Sequence, residues 1–230
     1  MAATLPARDL LDSRLAEILA EPGCPVCRYR NRSARRFIAA ILAESVNDRG
    51  FRRDLDRARG FCAAHTHDVL TADRRESGGT VAAAILFGAI ANVRGQELEA
   101  AVAQGGRARA NGLAAARRPA DCPACSESAA AEGHAVARLL DRAADAGWSD
   151  ALGTAEICLD HLLVLAAAGA AVPSWRPVEA RQRARMAELR ERLRLFAHHS
   201  SHDRRHLITD EERRSADEAA GLLGGTPPEA

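Results

Sequence analysis

Lysine is missing from this 230-residue chain, so all 32 basic residues are arginine. That absence excludes a phosphate-loop lysine, a kinase lysine and Schiff-base or pyridoxal chemistry, each of which needs an amine. Aromatic residues are scarce, at 3%, which leaves little material for stacking nucleic-acid bases. Sustained Val/Ile alternation is also missing, and strands are not expected. The longest apolar runs, such as Val81 to Val93, fall short of the ~20 residues a membrane-spanning helix needs. Opposite charges cancel to a net +1, so no whole-molecule field calls for nucleic acid or a membrane. The start, Met1 to Leu10, carries acid where the apolar stretch of a secretory leader would sit. A cytoplasmic protein is expected.

What remains is rich in Ala, Leu, Arg and Glu, a composition that favours helix nearly everywhere. The expected fold is all-α, beginning with a helix near Asp9–Ala20 and a long one from Pro25. A shorter return segment follows around Arg49–Arg59, then a helix from Cys62 and an apolar helix from Thr80 to about Gln104. Gly105-Gly106 reads as a stop and 107–120 as a flexible connector. The order then repeats: a helix from Pro123, a turn at Gly147-Trp148 and a helix from Cys158. Pro173 and Pro177 introduce a long charged helix to about His206. Thr209-Asp-Glu-Glu212 is a capping box for a last helix that Gly224-Gly225 closes. The expected division is 7–106 and 121–172 as two helical repeats, with 173–225 as C-terminal helices.

The six cysteines carry the strongest signal. Cys24-Pro-Val-Cys27 is followed by Cys62-Ala-Ala-His65, and Cys122-Pro-Ala-Cys125 by Cys158-Leu-Asp-His161. The gap from Cys27 to Cys62 is 35 positions and from Cys125 to Cys158 is 33, while the halves are offset by 98. Two matched sets of three sulfurs and one imidazole satisfy the four tetrahedral ligands of a closed zinc site. Proline between the cysteines suits a first helical turn, where free N–H groups favour thiolate. Cys and His three apart share one helical face. A helix of about 18 residues carries the chain ~27 Å, so each half is expected to return as an antiparallel hairpin whose base its own metal ties. A Gly-aromatic pair recurs as well, Gly50-Phe51 and Gly147-Trp148, and reads as a helix stop followed by a core anchor.

Other chemistries fit parts of the pattern. Three disulfides would need an exported protein. A glutaredoxin-like dithiol would need strands around Cys24 or Cys122. An iron–sulfur cluster accepts a sulfur-rich set and is the alternative to zinc. His67 and His134 have no counterpart in the other half and read as surface residues.

With the ligands laid out, the chain resembles an uncharacterised family of bacterial helical proteins with duplicated motifs, CPxC followed by Gly-Phe-Cys-x-x-His, then a second CPxC and Cys-x-x-His. The matching stretches are Cys24–Cys27, Gly60-Phe61-Cys62–His65, Cys122–Cys125 and Cys158–His161, within Leu10 to Gly224. The second Cys-x-x-His has Glu156-Ile157 in place of Gly-Phe. The resemblance implies an all-helical metal-binding protein and no assigned reaction. Tails of the family carry Asp-aromatic-Arg after a phenylalanine; here Phe196 is followed by His198, His202, Asp203 and Arg204, with arginine at the aromatic position.

The leading reading is a scaffold or adaptor with two zinc ions per chain that acts by binding another protein. The alternatives are a redox or sensor protein and an enzyme using His198, His202 and His206, which would stripe one helical face with Asp203 and Arg204. Arg28 to Arg59 holds ten arginines against four acids, which admits a weaker nucleic-acid reading through counterion release.

Overall fold

The computed structural model describes residues 5–117 and 121–227. Among them are eleven α-helices and no strand. They are α1 (Leu10–Leu19), α2 (Pro25–Ala40), α3 (Arg49–Arg57), α4 (Ala63–Ser77), α5 (Val81–Val102), α6 (Gly106–Arg117), α7 (Pro123–Arg142), α8 (Ala146–Thr154), α9 (Leu159–Ala168), α10 (Arg176–His199) and α11 (Asp210–Gly224). No helix among the described residues is long and apolar enough to cross a membrane. The chain is all-α, as its composition requires.

Two compact units divide it. The first contains the chain up to Arg30 and from Ala131 onward; the second is Asn31–Ala130. The boundaries fall inside α2 and α7, so each unit takes one end of each of these helices. This differs from the expected division at 7–106 and 121–172. The stretch expected as a flexible connector is helical from Gly106 to Arg117, with no buried residue; positions 118–120 lie outside the described residues.

In the first unit, Leu15 and Ile18 of α1, Val26 of α2 and Leu139 of α7 pack with Trp148, Leu152, Leu165 and Trp175. A buried ion pair fastens α1 to α7: Arg142 Nε lies 3.3 Å from Asp12 Oδ2, with both side chains almost fully covered. The Arg142 guanidinium also stands 5.0 Å from the centre of the Trp148 ring. The carboxyls of Asp9 and Asp12 are held below the usual carboxylate range. For Asp9 the backbone N–H of Asp12 does most, followed by Arg138. For Asp12, burial works the other way but is overcome by the Arg8 backbone N–H, Arg138 and Arg142.

The second unit gathers Ile38, Ile41, Leu55, Val69 and Leu86 around its own core. There α2 continues into a π-helical turn at Ile41–Ser45. Buried Asp73 accepts the Ala83 backbone N–H at 2.8 Å, fastening the start of α5 to α4.

Three local expectations need correction. Gly50-Phe51 and Gly147-Trp148 lie in the first turns of α3 and α8, so the glycine opens a helix instead of stopping one. The aromatic does anchor the core, since Trp148 is fully buried. The long charged helix ends at His199 rather than near His206, so His202 and His206 cannot share a helical face with His198. His199 instead meets buried Glu212 at 3.0 Å, and Glu212 completes the capping box with Thr209. This part of the tail histidine stretch closes a helix-helix contact.

Candidate metal centres

All eight predicted ligands stand at helix starts, in four equivalent pairs. The carbonyls of Cys24, Cys62, Cys122 and Cys158 accept the first intrahelical bond from Arg28, Thr66, Ser126 and Leu162, at 3.0, 2.9, 3.0 and 2.8 Å. Each of these cysteines is therefore the N-cap of its helix, and the partner ligand follows three residues later in the first turn. Pro25 and Pro123 occupy the position after the cap, where a missing N–H costs nothing. Helix starts also lower the energy of thiolates through unpaired N–H groups and the macrodipole.

The pairs combine across the two halves of the sequence. Cys24, Cys27, Cys158 and His161 form one set; Cys62, His65, Cys122 and Cys125 form the other, the four ligand atoms of each lying within 4.8 Å of one another. The expected closure within each half is thus incorrect. The helix lengths are in keeping with this: from Pro25 to Ser45 the helical backbone covers roughly 30 Å, whereas the nine residues of α3 cover about 14 Å, so the two do not match as the arms of a hairpin. Instead, each unit joins the start of one long helix to the Cys-x-x-His turn that follows the other.

Both sets have the dimensions of a single tetrahedral ion. Zinc–sulfur bonds of about 2.3 Å and zinc–nitrogen bonds of about 2.0–2.1 Å give tetrahedral edges near ~3.8 Å for S···S and ~3.5 Å for S···N. The observed S···S separations are 3.8 Å for Cys27–Cys158 and 3.7 Å for Cys125–Cys62. His161 Nδ1 lies 3.5, 3.3 and 3.1 Å from the sulfurs of Cys24, Cys27 and Cys158. His65 Nδ1 lies 3.2, 3.5 and 3.4 Å from those of Cys62, Cys122 and Cys125. No two of these cysteines are disulfide-bonded.

The proton balance in the sets is of the kind a bound cation relieves. Hydrogen bonds from Cys158 and then Cys24 hold the Cys27 thiol far below its usual range. The same crowding, led by Cys24 and Cys27, drives Cys158 far above it. Burial opposes protonation of His161, yet hydrogen bonds to Cys24 and Cys27 push it up to about 10. Cys125, although exposed as a residue, is pushed up to about 12, first by desolvation of its sulfur on the side that faces the set and then by Cys62. Three sulfurs so close cannot all ionise by themselves; a bound divalent ion removes that conflict and deprotonates a coordinating thiol outright.

The surroundings of the two sets differ. All four residues of the first are buried, whereas in the second only Cys122 is buried and Cys125 is exposed. His161 Nε2 faces Glu132 Oε2 at 3.5 Å, an outer carboxylate that fixes the ring with Nδ1 toward the sulfurs. Among the described residues His65 has no such carboxylate. The end of α11 also reaches the first set. Thr226 Oγ1 accepts the Cys24 backbone N–H at 2.6 Å, and the Thr226 backbone N–H adds to the hydrogen bonds on Cys27. A Cβ on Gly225 would stand 2.9 Å from Cys27 Sγ.

A model of the family described as "Family of unknown function (DUF6062)" matches residues 4–165 of the chain. The chain belongs to the DUF6062 family. No curated protein and no solved structure matches it. The DUF6062 match contains all eight cluster residues and stops before α10 and α11, so Gly225 and Thr226 lie outside it.

Sequence reasoning missed Glu132, Gly225 and Thr226. The two tail residues are some 200 positions from Cys24, and Gly225 was legible only as a helix end. His67 and His134 are exposed and belong to neither set.

Proposed function

We propose that this protein binds two zinc ions, one through Cys24, Cys27, Cys158 and His161 and one through Cys62, His65, Cys122 and Cys125, and that it serves as a non-catalytic scaffold or adaptor for another protein. The observation that carries the reading is the closure of both sets: each gathers four candidate protein ligands within 4.8 Å of one another, a full tetrahedral complement that leaves no position for a substrate. The compactness of each set favours a single ion over a multi-iron cluster, which must spread its ligands around several metal atoms. Zinc held this way supplies folding energy and orients helices; it does not activate water.

A protein partner is supported by a depression in the first unit. Ile157, Met186, Leu189 and Leu222 supply its apolar lining, and Glu156, Arg185, Asp217 and Glu218 its charged lining. Such a combination seats an apolar anchor side chain within a polar surround. The nucleic-acid reading is weakened because arginines of the basic run are engaged locally, Arg28 with Glu21 and Arg59 with Glu97. Free thiols at structural spacing fit a reducing, cytoplasmic setting.

Elemental analysis with a visible spectrum, on protein purified without oxygen or a histidine tag, tests the reading. Two zinc per chain without colour is the expected result, and cobalt substitution should show tetrahedral sites with no exchangeable water. Iron with sulfide, or no metal, would overturn it.

A further inference from the structure

We propose that the second set is a site of oxidative modification, in which Cys125 is attacked by peroxide and Cys62 resolves the product as a disulfide. The inference rests on the reading that both sets hold zinc. Their ligands are the same, three sulfurs and one imidazole, so ligand identity alone cannot make one set more reactive. Access can. Cys125 is exposed and Cys62 half-buried, whereas Cys24, Cys27 and Cys158 are each no more than 4% exposed. The first set carries Gly225 and Thr226 against it as well.

Zinc-bound thiolates need no deprotonation to act as nucleophiles. The Cys125 sulfur attacks one oxygen of hydrogen peroxide and the O–O bond breaks. Hydroxide leaves and takes up a proton as water, and Cys125 becomes a sulfenic acid. Cys62 Sγ, 3.7 Å from Cys125 Sγ, then attacks the sulfenic sulfur. An S–S bond forms as the S–O bond breaks, and the departing hydroxide is protonated to a second water. The two thiolates have given two electrons to one peroxide. Cys122 is only 2% exposed, which makes Cys62 the accessible resolving group. With two of four ligands joined, His65 and Cys122 alone cannot retain the ion, and a reductant restores the set.

The test uses the wild-type, two-zinc protein. Hydrogen peroxide is added in steps, zinc release is followed with a chromophoric chelator, and samples are alkylated and mapped by mass spectrometry. One zinc should leave at least about tenfold faster than the other, with a Cys62–Cys125 linkage and with Cys24, Cys27 and Cys158 still unoxidised. Thiol reductant and added zinc should return the starting state. Simultaneous loss of both ions, first oxidation within Cys24, Cys27 and Cys158, a disulfide through Cys122, or no release would overturn the inference. Protein that carries no zinc before peroxide is added would instead bring down the metal reading on which it rests.

Discussion

Buried ligands, an outer carboxylate and a covering C-terminal segment surround the Cys3His set of the first unit; the set of the second unit has one exposed cysteine, one buried cysteine and, among the described residues, no carboxylate behind its histidine. The four helix starts that supply the ligands are nearly interchangeable, so the difference lies in what the rest of each unit places around them. Identical ligand chemistry can therefore support two tasks. A buried set ties together elements distant in sequence, while an accessible one remains open to reagents and to metal exchange.

Metal removal should divide the units most strongly. Binding to a structural zinc set contributes on the order of 10 kcal/mol to folding. Cys27→Ser should therefore unfold α1, α8 and α9, as read by loss of amide protection there, while Cys125→Ser should leave those helices protected. Equal loss of protection in both variants would erase the distinction between the units.

Next in size is the buried Asp12–Arg142 pair, a feature of the first unit. Asp12→Ala leaves Arg142 buried beside a missing partner and should cost about 3 kcal/mol in denaturant unfolding. The pair also sets an acid limit. Because the folded Asp12 carboxyl lies below its ordinary value of about 4, its contribution is complete above that value and is lost as pH falls through the depressed one. The wild type should lose stability in that acid window more steeply than Asp12→Ala, and parallel curves would contradict the assignment.

Glu132→Gln should weaken metal at the first set by about ten- to a hundredfold in a chelator competition and leave the second unchanged. Gly225→Ala should cost about 1–3 kcal/mol, since φ is +72° with ψ at −170° and the added Cβ meets Cys27 Sγ. Thr226→Val, which removes the hydroxyl that accepts the Cys24 N–H, should cost about 1 kcal/mol. If the Gly225 and Thr226 variants left the reactivity of Cys27 toward alkylation unchanged, the tail would have no part in covering the first set.

Much of this was legible in the residues. The eight residues that gather into two clusters could be named from cysteine arithmetic, and helix starts at Pro25 and Pro123 followed from proline geometry. The capping box at Thr209–Glu212 formed as spaced. Partner choice did not follow, because spacing within a repeat fixes which ligands resemble one another and says nothing about which ones meet. The hairpin expectation also overlooked how much shorter α3 is than α2. Glu132 was invisible for a related reason: its role depends on which histidine α7 ends up facing. The histidines after Phe196 misled because their four-residue recurrence looks helical, although the helix stops at His199.

The crossed pairing is tested most directly by loading the wild-type protein with zinc, withdrawing one equivalent with a chelator and mapping which cysteines become open to alkylation together. The account predicts that Cys62, Cys122 and Cys125 appear as a group while Cys24, Cys27 and Cys158 stay protected. Joint exposure of Cys24, Cys27 and Cys62, or of Cys122, Cys125 and Cys158, would contradict it.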